Sequence, residues 1–196
     1  MSDGLLVLAP LRIEALAARR GAPRADVMRT GMGPRRSRVA AIHATDRSAR
    51  AVVVLGFCGA LDDDLEPGDV VVADELRGSG APLECRPVQE LLGELDRAGV
   101  AARVGPIVSV AKMARGAERA QLASDGSIAV DMESAWLAAA AAGRPFAALR
   151  AVVDTPSREL VRFSTVPSGF KAYRALGRAA GALDSWAQTL ADTKET

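Results

Sequence analysis

Histidine and cysteine are almost missing from this sequence. Its 196 residues hold one histidine, His43, and two cysteines, Cys58 and Cys85. No Cys₂His₂ or Cys₄ zinc site can be assembled from that set, so no metal is expected. Two cysteines in a chain of this length do not make a secreted disulfide framework either. A Ser-His-Asp or Cys-His mechanism would have to run through His43 alone. Net charge is scarce as well. At +1 it gives no electrostatic case for a nucleic acid partner. There is no apolar run of the length a membrane span needs. The opening MSDGLLVLAP carries no basic segment and no small-residue cleavage site, so it does not read as a signal peptide. The cytoplasm is the expected compartment. Lysine is rare beside arginine, a bias that reads as coding composition. By elimination, acid–base chemistry falls to carboxylates.

What is present is ordinary globular composition, with 49% hydrophobic and 25% charged residues. The length suits one domain spanning 1–196. Short apolar runs alternate with helical patterns. Strands are predicted at 5–9, 27–29, 51–56, 70–73, 106–110, 127–130 and 146–154. Helices are predicted at 11–20, 35–45, 87–98 and 134–142, with one long helix over 170–190. Residues 77–86 and 155–169 read as loops. Val39, Ile42 and His43 share helical spacing, which assigns His43 a structural role. The alternation implies a mostly parallel sheet covered on both faces, an α/β/α domain.

In such a sheet, ligands bind beyond the carboxyl ends of the strands. Those ends carry Glu14, Gly31-Met32-Gly33, Gly56-Phe57-Cys58-Gly59-Ala60, Asp131-Met132-Glu133 and Asp154. A dinucleotide fingerprint is excluded, because Arg36 stands where the third small residue would be needed. Taken singly, each carboxylate has an ordinary reading too. Asp154 can cap the turn that follows it, Glu133 can complement a helix dipole, and Glu14 can be a helix-surface acid. Cys58, with no His or Lys beside it in the chain, reads as a small buried residue and not a nucleophile.

Four blocks together resemble the superfamily of purine nucleoside phosphorylases and methylthioadenosine–S-adenosylhomocysteine nucleosidases. They are APLRIEA (9–15), VVVLGFCGALDDDLEPGDVVVADE (52–75), IAVDMESAWLAA (128–139) and LRAVVDTPSRELV (149–161). TGMGP (30–34), AVDMES (129–134) and ELVRFSTV (159–166) are most similar to its hopanoid-associated branch, which acts on adenosylhopane. The resemblance implies a three-layer α/β/α sandwich with a central mixed, mostly parallel sheet. It implies catalytic roles for Asp154, as acid toward the leaving base, and for Glu14, which would orient water. Substrate would be held by Glu133 and Met132 at the ribose, with Gly59, Cys58, Phe57, Met113 and Ala114 near base and sugar. For Asp154 to hold a proton at neutral pH, apolar surroundings would be required.

The resemblance leaves two chemistries open. Phosphorolysis would use inorganic phosphate as co-substrate and needs a cationic site. Val54 and Phe57 stand where the hexameric phosphorylases place Arg and Ser. Gly31, Gly33 and Arg35 are the remaining phosphate candidates, which favours hydrolysis with no cofactor. A non-catalytic nucleoside-binding subunit is a third reading. Phe163 and Val166, in a segment that could form a lid, fit a lipid-linked nucleoside, and relatives that share pockets between subunits imply a homodimer.

Overall fold

The computed structural model describes residues 4–78, 80–156 and 167–192. Its first strand, β1 (Leu5–Ala9), lies between β2 (Asp26–Arg29) and β3 (Ala51–Ala60), parallel to both. β4 (Val70–Gly78), β5 (Gly80–Glu84), β6 (Ala102–Ser109), β7 (Ala129–Asp131) and β8 (Phe146–Asp154) complete an eight-stranded sheet. β8 pairs parallel with β3 and antiparallel with β4, and β7 pairs antiparallel with β3. The pairings run from β3 through β8, β4, β6 and β7 back to β3, so part of the mixed, mostly parallel sheet closes on itself.

The continuous apolar runs follow from burial of both sheet faces, since successive side chains on a strand point to opposite sides. Val7, Val53, Leu55 and Leu149 face one core with α1 (Arg12–Gly21), α3 (Val88–Arg97), α6 (Pro167–Ala180) and α7 (Leu183–Asp192). Leu6, Leu8, Val52, Val54 and Ala148 face the other, with α2 (Pro34–Thr45) and a 3₁₀ turn, Ala138–Ala141. Alanine lets these layers approach closely. Ala17, Ala18, Ala175 and Ala179 are all in the first core, and a Cβ on Gly21 would lie 2.5 Å from the Cβ of Ala180. The alanine excess therefore has a packing use as well as a compositional origin.

The α/β/α architecture is as the sequence implies, and several elements differ. The strand expected to stop at Gly56 runs on to Ala60, wholly buried. The loop expected at 77–86 contains β5, which forms a hairpin with β4. Its five residues are all exposed, so no burial pattern marked it. The helix α4 (Ala117–Ser124) was not expected, and only Arg119 of its residues is buried. The long terminal helix breaks at Gly181-Ala182 into α6 and α7. The helix expected over 134–142 is α5 (Ser134–Leu137) followed by the 3₁₀ turn. His43 is exposed, because α2 buries Ser37, Ala40, Ala41 and Ala44 instead. The expected lid lies mostly outside the described residues, as do Phe163 and Val166. Among the described residues, no helix is long and apolar enough to cross a membrane.

Candidate active site

Two glycines in β3 make room for two charge clusters. A Cβ on Gly56 would lie 2.3 Å from Arg150 Nη1 and 2.6 Å from Glu14 Oε1. A Cβ on Gly59 would lie 2.0 Å from Arg119 Nη2 and 2.6 Å from Asp154 Oδ1. Those distances are below van der Waals contact, so a side chain at either position would displace the charged groups. Around this strand opens a cleft of about 290 Å³.

The first cluster centres on Arg150, which is fully buried in β8. Its Nη2 pairs with Asp131 Oδ2 at 2.7 Å and lies 4.0 Å from Glu133 Oε2. Nε and Nη2 donate to Ser134 Oγ at 3.1 and 2.8 Å, and Nη1 donates to the carbonyl of Phe57 at 3.4 Å. Glu14 closes the cluster from α1. As the third residue after the helix's capping position, it turns back to accept the backbone N–H of Leu11 at 2.6 Å. Its other oxygen accepts the N–H of Phe57 at 2.7 Å. Burial pushes the Glu14 carboxyl up to about 7, against the lowering pull of Arg150 and the two backbone N–H groups. Burial also raises Glu133, again opposed by Arg150. Arg150 itself is pushed upward, because Asp131, Glu133 and Glu14 together outweigh its own desolvation.

Asp131 is structural in this arrangement. It accepts the Ser109 hydroxyl at 2.5 Å and the N–H groups of Glu133 and Ser134 at 3.1 and 3.2 Å, which fixes the start of α5. Glu133 reaches across to accept the N–H of Gly33, at the N-terminus of α2, at 3.0 Å. A helix N-terminus attracts anions, and here the carboxylate of Glu133 takes that place.

One cation therefore holds three buried carboxylates. Arg150→Met would leave them uncompensated, and losing one partner of a buried pair costs about 3–5 kcal/mol. Urea unfolding at pH 7 is expected to register that loss, and the loss should shrink at lower pH as Glu14 and Glu133, both raised by burial, take up protons.

The second cluster is Arg119 of α4 with Asp154 at the end of β8. Their Nη2–Oδ1 distance is 2.7 Å, and Arg119 Nη1 donates to the carbonyl of Thr155 at 3.2 Å. The apolar surroundings expected for Asp154 are not what the fold supplies, since a guanidinium lies against the carboxylate.

The cleft gathers Glu14, Phe57, Cys58, Gly59, Met113, Ala114, Met132, Glu133 and Asp154. Gly31, Gly33 and Arg35 are not among its lining residues, and Arg35 is exposed. Cys58 is buried, and burial raises its thiol well above the ordinary range, in keeping with a packing role. Two arginines went unread in the sequence. Arg150 carried a signal, a charge inside the apolar strand FAALRAVVD, where a buried charge must be paired. Arg119 carried none, lying in a short, mostly exposed helix. Asp131 and Arg119 also line the cleft, and the remainder of the wall is apolar: Pro10, Leu11, Met32, Val110, Val130 and Val153.

Residues 21–184 match the family model described as the phosphorylase superfamily. No curated protein matches the sequence. Among solved structures, 5′-methylthioadenosine/S-adenosyl homocysteine nucleosidase of Campylobacter jejuni is 14% identical, with a TM-score of 0.82 over 95% of this chain and 99% of that one. The Helicobacter pylori nucleosidase of the same description is 17% identical, with a TM-score of 0.74 over 97% and 98% of the two chains. Futalosine hydrolase of Helicobacter pylori is 16% identical, with a TM-score of 0.73 over 97% of each chain. At these identities the likeness is one of fold.

Proposed function

The chain belongs to the phosphorylase superfamily, and from that premise we propose that it cleaves the N-glycosidic bond of an adenine nucleoside by hydrolysis, releasing adenine. The observation that carries this reading is the convergence of Glu14, Glu133 and Asp154 on one cleft. Cleavage makes an oxocarbenium-like sugar and a departing purine, so it needs negative charge near the sugar and a group serving the base. Glu133 accepts the ribose hydroxyls and faces the developing cation. Glu14, with its carboxyl near 7, is poised to take a proton from the attacking water at neutral pH. Asp154 relays a proton from solvent to the base, and Met113 and Ala114 line the same cleft. The names of the structural neighbours, nucleosidases and a hydrolase, agree with this chemistry.

Hydrolysis is favoured over phosphorolysis by one contact. The Gly33 amide, a candidate phosphate ligand, is already bonded to Glu133, and Arg35 is not among the residues lining the cleft. The apolar wall formed by Pro10, Leu11, Met32 and Val110 supports a bulky apolar 5′ substituent, of which adenosylhopane is the instance suggested by the sequence resemblance.

The test is adenine release in phosphate-free buffer from adenosine and from an adenosine bearing a long 5′ alkyl chain. Free adenine from both is expected, with the higher kcat/KM for the alkylated substrate. Strict phosphate dependence yielding ribose 1-phosphate would replace hydrolysis by phosphorolysis. Preference for the short substrate would remove the lipid. Tight nucleoside binding without turnover would leave a binding subunit.

A further inference from the structure

We propose that Arg119 is a second catalytic residue at the base end of the cleft, donating a hydrogen bond from its guanidinium to the departing purine. The inference rests on the glycosidase reading above and adds to it the group that meets the leaving base's charge. Three observations carry it. Arg119 lines the cleft, yet it is 3% exposed. It is anchored on two sides, by Asp154 and by the carbonyl of Thr155. Its Nε–H has no acceptor among the described residues. A buried guanidinium N–H without an acceptor is costly, and a ring nitrogen of a bound purine supplies one. Gly59 is the device that admits it, since a Cβ there would sit 2.0 Å from Nη2.

The chemistry balances without moving a proton through Arg119, whose guanidinium does not deprotonate in proteins. The C1′–N9 bond breaks and its electron pair goes to the purine. The ring takes up a proton from solvent, relayed by Asp154, while the oxygen of water bonds to C1′ and its released proton passes to Glu14. Exchange with solvent resets both carboxyl groups. Arg119 contributes a fixed positive charge and a hydrogen bond, both stronger as the purine gains negative charge. The apolar wall expected from the sequence would not have supplied that charge.

The test uses the full-length chain with Arg119→Met and Arg119→Lys, and two substrates, adenosine and p-nitrophenyl β-D-riboside. Nitrophenolate is stable as an anion and needs little help in leaving. Arg119→Met is expected to lower kcat on adenosine by about 100-fold, the scale of losing one preorganised donor. It should leave p-nitrophenyl riboside cleavage within about threefold of wild type, the mark of a step specific to the purine. Arg119→Lys should recover part of the adenosine rate. Equal loss on both substrates would make Arg119 structural and overturn the proposal, as would an unchanged adenosine rate. If wild type cleaves neither substrate, the glycosidase reading fails by itself, and adenine binding then decides on Arg119. A weakening of about tenfold or more in Arg119→Met, in the range of a charge-assisted hydrogen bond, upholds the base contact, and unchanged affinity overturns it.

Discussion

Asp154→Asn is expected to lower kcat for adenine release by about 10²–10⁴-fold, the range of a positioned acid or base. The amide neither carries a proton to the base nor balances the charge of Arg119, which lies 2.7 Å from the carboxylate. KM should change little, because the proposed reading gives the sugar to Glu133 and not to Asp154. Steady-state kinetics on adenosine, with a circular dichroism spectrum to verify the fold, measure this. Full activity in the variant would return Asp154 to the turn-capping role that its sequence position also allows.

Glu14→Gln is expected to cost a similar factor in kcat, and it carries two pH signatures. In wild type, kcat/KM should fall about tenfold per pH unit below about 7, because the base must be unprotonated to accept water's proton. The residual activity of the variant should lack that limb. The second signature is in stability. Burial raises the Glu14 carboxyl from 4.5 to about 7. Below pH 4.5 the group is protonated in both folded and unfolded chains and has no effect. As pH rises from 4.5 to 7, the unfolded chain releases the proton while the folded chain keeps it, so stability falls. The loss is about 3 kcal/mol by linkage and is constant above 7. Urea unfolding between pH 4.5 and 8 should show this decline in wild type and a flatter profile in Glu14→Gln. A difference between the two that does not vary with pH would contradict the placement of a buried, proton-retaining Glu14.

Most of the site could be read from the sequence because its carboxylates sit at strand ends. A continuous apolar run announces a strand buried on both faces, and the polar residues soon after it gather near the sheet's rim. Glu14, Glu133 and Asp154 follow LLVLA, SIAV and FAALRAVV within a few residues. Arg150 breaks the same logic from inside a strand, and its partners come from β3, β7 and the start of α5, contacts that only the folded chain assembles. Arg119 was invisible because α4 buries nothing else, so no apolar periodicity marked the helix. The hairpin strand β5 was missed for the same reason, being exposed along its whole length. The terminal helix kept its apolar spacing through Gly181, so the break there left no gap in the pattern. Gly56 and Gly59 both stand at the end of the predicted strand, where a ligand is expected. In the fold they first admit the two arginine clusters.

The central claim is the order of groups along the cleft, with the base against Asp154 and Arg119, the sugar on Glu133 and the anomeric carbon facing Glu14. A crystal structure of the chain with a non-hydrolysable adenosine analogue tests it most directly. The predicted result places the purine ring within hydrogen-bond distance of Asp154 and Arg119, the ribose hydroxyls on Glu133, and a water between C1′ and Glu14. A ligand bound outside this cleft, or with its sugar against Asp154 and its base on Glu133, would contradict the account.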